Sequence, residues 1–138
     1  MSDINAIINL LEKTIGRDDI HQDSDIVKDL RCYGDDFNEL MKAYSAKFNV
    51  DMSQYLWYFH TEEEGAGNGL GGFFFKPPNE RVTRIPVTPK MLLDFAENGR
   101  WHIEYPEHHL PKRRYDFLIN KIIFLLLLTF AILYWWRR

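Results

Sequence analysis

Four groups of residues in this chain have types and spacing suited to chemistry. Tyr33-Gly34-Asp35-Asp36 spells a tetrad whose paired aspartates can hold magnesium at a hairpin tip for phosphoryl transfer. That chemistry needs acidic ligands converging from separate strands and room for a template. Here the tetrad opens a helical pattern and no second acidic strand motif follows, so Asp35 and Asp36 are read as first-turn carboxylates that complement a helix dipole. Gly67, Gly69 and Gly72 fit the spacing GxGxxG. A phosphate approaching them would meet Glu62, Glu63 and Glu64 first, and no strand and helix bracket the motif, so it is read as a loop. His60, His102, His108 and His109 could in principle share a metal with that glutamate run. No pair of them has the four-residue spacing of a helical zinc site, and they are expected as core or solvated side chains with no metal. Cys32 is the only cysteine, which allows neither an internal disulfide nor a cysteine zinc cage and points to a reducing compartment. No catalytic residue and no cofactor site is expected.

The elements that must position these residues are set by size and charge. The chain has 138 residues, room for one small domain. Residues 1–111 hold 11 of the 17 Lys and Arg and 19 of the 20 acids, a net charge of −8; residues 112–138 hold the other six bases and one acid, a net of +5. The acidic part would repel phosphate backbones, so nucleic acid is not an expected partner. The basic part contains Ile122 to Trp136, fifteen residues without a charge and without a polar helical face. Fifteen residues rise about 22 Å as a helix against a hydrocarbon core of roughly 30 Å; extension back to Phe117 closes the gap and predicts a transmembrane helix over 117–136. Lys121 is close enough to one end to snorkel, and Tyr115, Tyr134, Trp135 and Trp136 stand where aromatic rings prefer the interface. Lys112, Arg113, Arg114 and Lys121 outnumber Arg137 and Arg138. That bias predicts a single-pass, tail-anchored topology with the N-terminal head in the cytoplasm. No secretory signal is read after Met1.

Within the head, Ile4, Ile7, Ile8, Leu11 and Ile15 repeat at helical spacing between Asp3 as N-cap and Gly16 as stop, predicting a helix over about 3–15. Phe37, Leu40, Met41, Tyr44 and Phe48 predict a second over about 35–48. Ser53 to His60 is expected as a short third helix with Trp57 packed inward. Thr88 as N-cap, Pro89 at the first position and Gly99 as stop bracket a last one. Between them, about 61–87 reads as a glycine-rich loop insertion, with short extended pieces at Phe73 to Phe75 or Arg81 to Ile85. Two of the three phenylalanines are expected to be buried and one half-covered, the alternative being a partner or membrane contact. The resulting division is a head over 1–105, a basic juxtamembrane linker over 106–116 and the transmembrane helix.

This helix order, with residues 29–40 reading DLRCYGDDFNEL, resembles an acyl carrier protein. Asp29, Leu30, Glu39, Leu40, Ala43 and Phe48 match the carrier pattern without a gap, and Val50-Asp51-Met52 resembles its close. The resemblance covers roughly 4–52 and, more loosely, 88–98. The carrier serine falls on Gly34, which has no hydroxyl for phosphopantetheine. Together with DMSQYLWYF and TPKMLLDFAENGRW, the GDD looks like a small bacterial family of unknown function described as acyl-carrier-like. The resemblance implies a mainly α, carrier-like small helical bundle without carrier chemistry, at a bacterial inner membrane. The function expected is a non-enzymatic interaction module whose Asp35, Asp36 and Glu39 dock on a basic protein partner, with the lipid bilayer as its second partner. Alternatives are a non-covalent lipid or acyl carrier, and a small immunity or toxin-like protein acting through its transmembrane helix.

Overall fold

A computed structural model describes residues 3–65 and 69–138; Gly67, part of the GxGxxG spacing, lies outside them. The chain is mainly helical, with α1 Ile4–Ile15, α2 Gly34–Phe48, α3 Leu70–Phe74, α4 Pro89–Asn98 and α5 Tyr115–Trp136. Single 3-10 turns occur at Trp57–Phe59 and Pro78–Arg81. Among the described residues there is no strand, only an isolated parallel bridge between Asp51 and Arg100.

Local chemistry places the first, second and fourth helices where their periodicity predicts them. The Asp3 carboxylate accepts from the Asn5 N–H, and Gly16 closes α1 at φ 77°. Thr88 accepts from the Met91 N–H, Pro89 occupies the first turn of α4, and Gly99 ends it at φ 68°. The apolar faces meet in one core built from Ile7 and Leu11 of α1, Phe37, Leu40 and Tyr44 of α2, and Leu92 and Phe95 of α4. The Tyr44 hydroxyl donates to the Leu92 carbonyl at 2.6 Å, which satisfies the one polar atom that α2 brings into this contact. The polar link after α1 is tied to the start of α4, the Ile26 N–H donating to the Val87 carbonyl and the Lys90 N–H to the Gln22 carbonyl. Trp101 is fully buried, so the segment after α4 contributes to the core.

Three expectations are corrected. Ser53 to His60 is no helix beyond the one 3-10 turn, because Asp51 captures the Ser53 N–H and hydroxyl and the Tyr55 N–H closes a separate turn on Met52. In that turn Phe59 is buried and Trp57 only partly covered. The glycine-rich insertion contains α3, and Phe73, Phe74 and Phe75 are all exposed, at 83%, 66% and 38%.

Helix α5 is long and apolar enough to cross a membrane, and its apolar window is not buried against the head. Asp116, Ile119, Asn120 and Ile123 form its one shielded edge, and from Phe124 onward it is exposed on every side.

Candidate functional site

The residues singled out for chemistry fall into three places: an acidic edge on α2, a buried polar network behind it, and the junction between head and α5. Gly34 opens α2 at φ 60° and is buried; its N–H donates at 2.7 Å to the hydroxyl of buried Thr61. A Cβ at this position would overlap the Glu64 side chain. Glycine is favoured by the left-handed backbone, while exposed Glu64 could swing aside for a larger residue.

Asp35, Asp36 and Glu39 are exposed on the first turns of α2, and none forms an ion pair among the described residues. They separate two open grooves. Asp35 borders one of about 410 Å³ with Asn38, Lys42, Tyr55, Trp57 and Glu63. Asp36 and Glu39 border another of about 390 Å³ with Arg17, Arg31 and Cys32. Burial, and then the nearby Asp36 charge, push the Cys32 thiol up to about 11, so it is a packing residue and not a nucleophile.

The histidines separate rather than converge. His60 is fully buried; its Nδ1 lies 2.9 Å from the Ile85 carbonyl and its Nε2 2.8 Å from the Tyr105 hydroxyl. The carbonyl can only accept, so Nδ1 carries the proton and Nε2 accepts from Tyr105. The Tyr105 oxygen in turn accepts from the Trp101 indole at 2.8 Å and the Leu56 N–H at 3.2 Å. Every bond of this network is used once. Burial pushes the His60 pKa down to about 4, against the opposing effect of the Ile85 carbonyl. His102 reaches Asp94 at 2.9 Å, and His108 pairs with the Tyr58 hydroxyl at 2.8 Å. Among the described residues no three His, Cys, Asp or Glu side chains are placed to share a metal.

The junction was not anticipated as a site. Arg114 grips two carboxylates at once: Asp116 at 2.9 and 2.6 Å, and Glu63 at 3.2 and 2.7 Å. Its guanidinium also lies 4.0 Å from the Phe117 ring centroid. One residue of the glutamate run is thereby joined to the single acid of the basic segment. Alongside, the Gly71 N–H donates to the Asn120 Oδ1 at 2.7 Å. A Cβ on Gly71 would overlap the Asp116 carbonyl, and one on Gly69 the Asn120 amide. Gly69 faces Asn120 while the Phe75 ring packs tilted against Tyr115 with centroids 5.4 Å apart, so α3 runs antiparallel to the first turns of α5. Of the other α5 residues singled out in sequence, Phe117, Lys121, Tyr134, Trp135 and Trp136 are all exposed.

The family model described as "Protein of unknown function (DUF1493)" matches residues 4–104, from the start of α1 through the segment after α4. The chain belongs to the DUF1493 family. No curated protein and no solved structure matches it. The DUF1493 assignment corrects the resemblance drawn to acyl carrier proteins, since the matching family is not a carrier family. The buried, left-handed Gly34 at the supposed attachment point is a structural reason for the same correction. The letters shared with carriers have local roles here: Asp29 accepts from the Asp25 N–H at 2.8 Å, and Leu30 and Leu40 are core.

Proposed function

We propose that this DUF1493 protein is a non-enzymatic interaction module tethered to a bacterial inner membrane by α5, with its head in the cytoplasm and the start of α2 as its docking edge. The observation that carries the reading is that Asp35, Asp36 and Glu39 stand exposed and unpaired on the first turns of α2, whereas Asp25, Glu63 and Asp116 are consumed in ion pairs with arginines. Free carboxylates on an ordered helix favour a basic protein surface, and electrostatic steering would speed the encounter. Anchoring raises the local concentration of the head near membrane partners without any added contact. The basic bias of Lys112, Arg113 and Arg114 supports the cytoplasmic orientation. The space between α1, α2 and α4 is filled by Phe37, Tyr44, Phe95 and Trp101, so no specific observation favours the alternative of an internal acyl site.

The test is crosslinking in native membranes with the full chain and with Asp36→Lys/Glu39→Lys. The docking reading requires a discrete crosslinked species that weakens on charge reversal and with rising salt. A crosslinking pattern that charge reversal leaves unchanged refutes it. Protease access to the head in sealed inverted vesicles tests the orientation; a protected head overturns it.

A further inference from the structure

Short helix α3 exposes Leu70 at 61%, Phe73 at 83% and Phe74 at 66%. Three large apolar side chains on a five-residue helix do not stabilise it in water, and what holds it in place is α5. The Gly71 to Asn120 hydrogen bond, the close approach of Gly69 and Gly71 to Asn120 and Asp116, and the Phe75 and Tyr115 rings fix α3 against residues 115–120. Wherever the first turns of α5 sit in a membrane, α3 sits at the same depth. The 22 residues of α5 rise about 33 Å, close to the roughly 30 Å hydrocarbon core and short of the full bilayer, so those first turns lie at the boundary between acyl chains and headgroups.

The charges around α3 fit that boundary. Lys76, Arg81, Arg113 and Arg114 line one cleft of about 120 Å³ beside Phe75 and Tyr115. Arg114 is committed to Glu63 and Asp116, while Lys76, Arg81 and Arg113 are exposed and form no ion pair among the described residues. Aromatic side chains flanked by cations outside any ion pair, of which Arg81 also donates its Nε to the Lys76 carbonyl, match the chemistry of an anionic bilayer surface, with rings at the acyl boundary and cations among phosphates.

We infer that α3 is a second membrane contact, an interfacial anchor whose Leu70, Phe73 and Phe74 enter the bilayer surface beside α5 while Lys76, Arg81 and Arg113 face anionic headgroups. The inference rests on α5 spanning the membrane. With α5 alone the head would pivot about a single helix; with α3 seated as well, two contacts fix its orientation over the membrane.

The experiment uses the full chain carrying Cys32→Ala, with single spin labels at Phe73→Cys, Phe74→Cys, Leu126→Cys and Glu97→Cys, in vesicles of phosphatidylcholine and phosphatidylglycerol. Collision rates with oxygen, which concentrates in lipid, are compared with those of a water-soluble nickel chelate. Labels at 73 and 74 are expected to meet oxygen more often than nickel, as the label at 126 does, with the label at 97 showing the reverse. Water-exposed labels at 73 and 74 with a lipid-exposed label at 126 overturn the interfacial anchor alone. A water-exposed label at 126 overturns the membrane-spanning reading beneath it. Spin-spin broadening at 73 that persists as the protein is diluted in lipid assigns these phenylalanines to a second copy of the chain and also overturns the inference.

Discussion

Buried His60 predicts a specific loss of stability in mild acid. The side chain is neutral in the folded head, with its pKa pushed down to about 4, whereas an unfolded chain would titrate near the usual histidine value of 6.5. The unfolded state therefore takes up a proton first. The stability due to His60 is complete above pH 6.5 and is lost as pH falls from 6.5 towards 4. Integrating the difference gives about 2 kcal/mol lost by pH 5 and about 3 kcal/mol by pH 4, a large part of a typical domain's margin. The measurement is the urea midpoint of the full chain in nanodiscs, followed through hydrogen-exchange protection of α1 and α2, from pH 8 to pH 4. His60→Gln should lower the midpoint at pH 8, since it leaves part of the network unpaired, and should flatten the slope between pH 6.5 and 4. Tyr105→Phe should cost about 2–4 kcal/mol at pH 8, because it orphans His60 Nε2, the Trp101 indole and the Leu56 N–H together. A wild-type midpoint that stays level from pH 7 to pH 5, or a slope that persists in His60→Gln, would refute the assignment of a neutral, buried His60.

Two further outcomes probe the junction. Gly71→Ala places a methyl against the Asp116 carbonyl, so α3 should undock from α5 and the backbone amides of 69–75 should exchange faster, with α1, α2 and α4 unaffected. Arg114→Ala leaves the buried Asp116 carboxylate unpaired and should destabilise the junction by about 1–3 kcal/mol, read as faster exchange in 60–65 and 70–75; Arg114→Lys should recover only part, since it replaces a bidentate fork by a point charge.

The parts of this molecule that were legible in its sequence are those whose physics is local. Helices α1 and α4 carry their own caps and their own periodic faces, so Asp3, Gly16, Thr88 and Gly99 bound them without reference to anything distant. Helix α5 is legible for a different reason, because fifteen uncharged residues, apolar but for Thr129, are informative by composition alone. Helix α3 has neither kind of signal. Its sequence LGGFF has no period and two glycines, and its conformation depends on Asn120, 49 positions from Gly71. The glycines that read as flexibility are in fact the condition for close packing, and only the partner helix reveals which meaning applies. Asn120 and Asp116 carry an indirect signal: a polar side chain and a carboxylate at the entrance to an apolar helix require partners, which the Gly71 N–H and Arg114 supply. The carrier resemblance erred in the opposite direction. It leaned on Leu40 and Phe48, positions that the spacing of an amphipathic helix supplies in many unrelated proteins, on Leu30, which packs in the core from the turn before α2, on Ala43, which is exposed, and on Asp29, which serves a local turn. Specificity in this sequence lies in its exceptions to periodicity, the left-handed Gly34 and the phenylalanines after Gly72, because regular helical spacing is common to many folds and those exceptions are not.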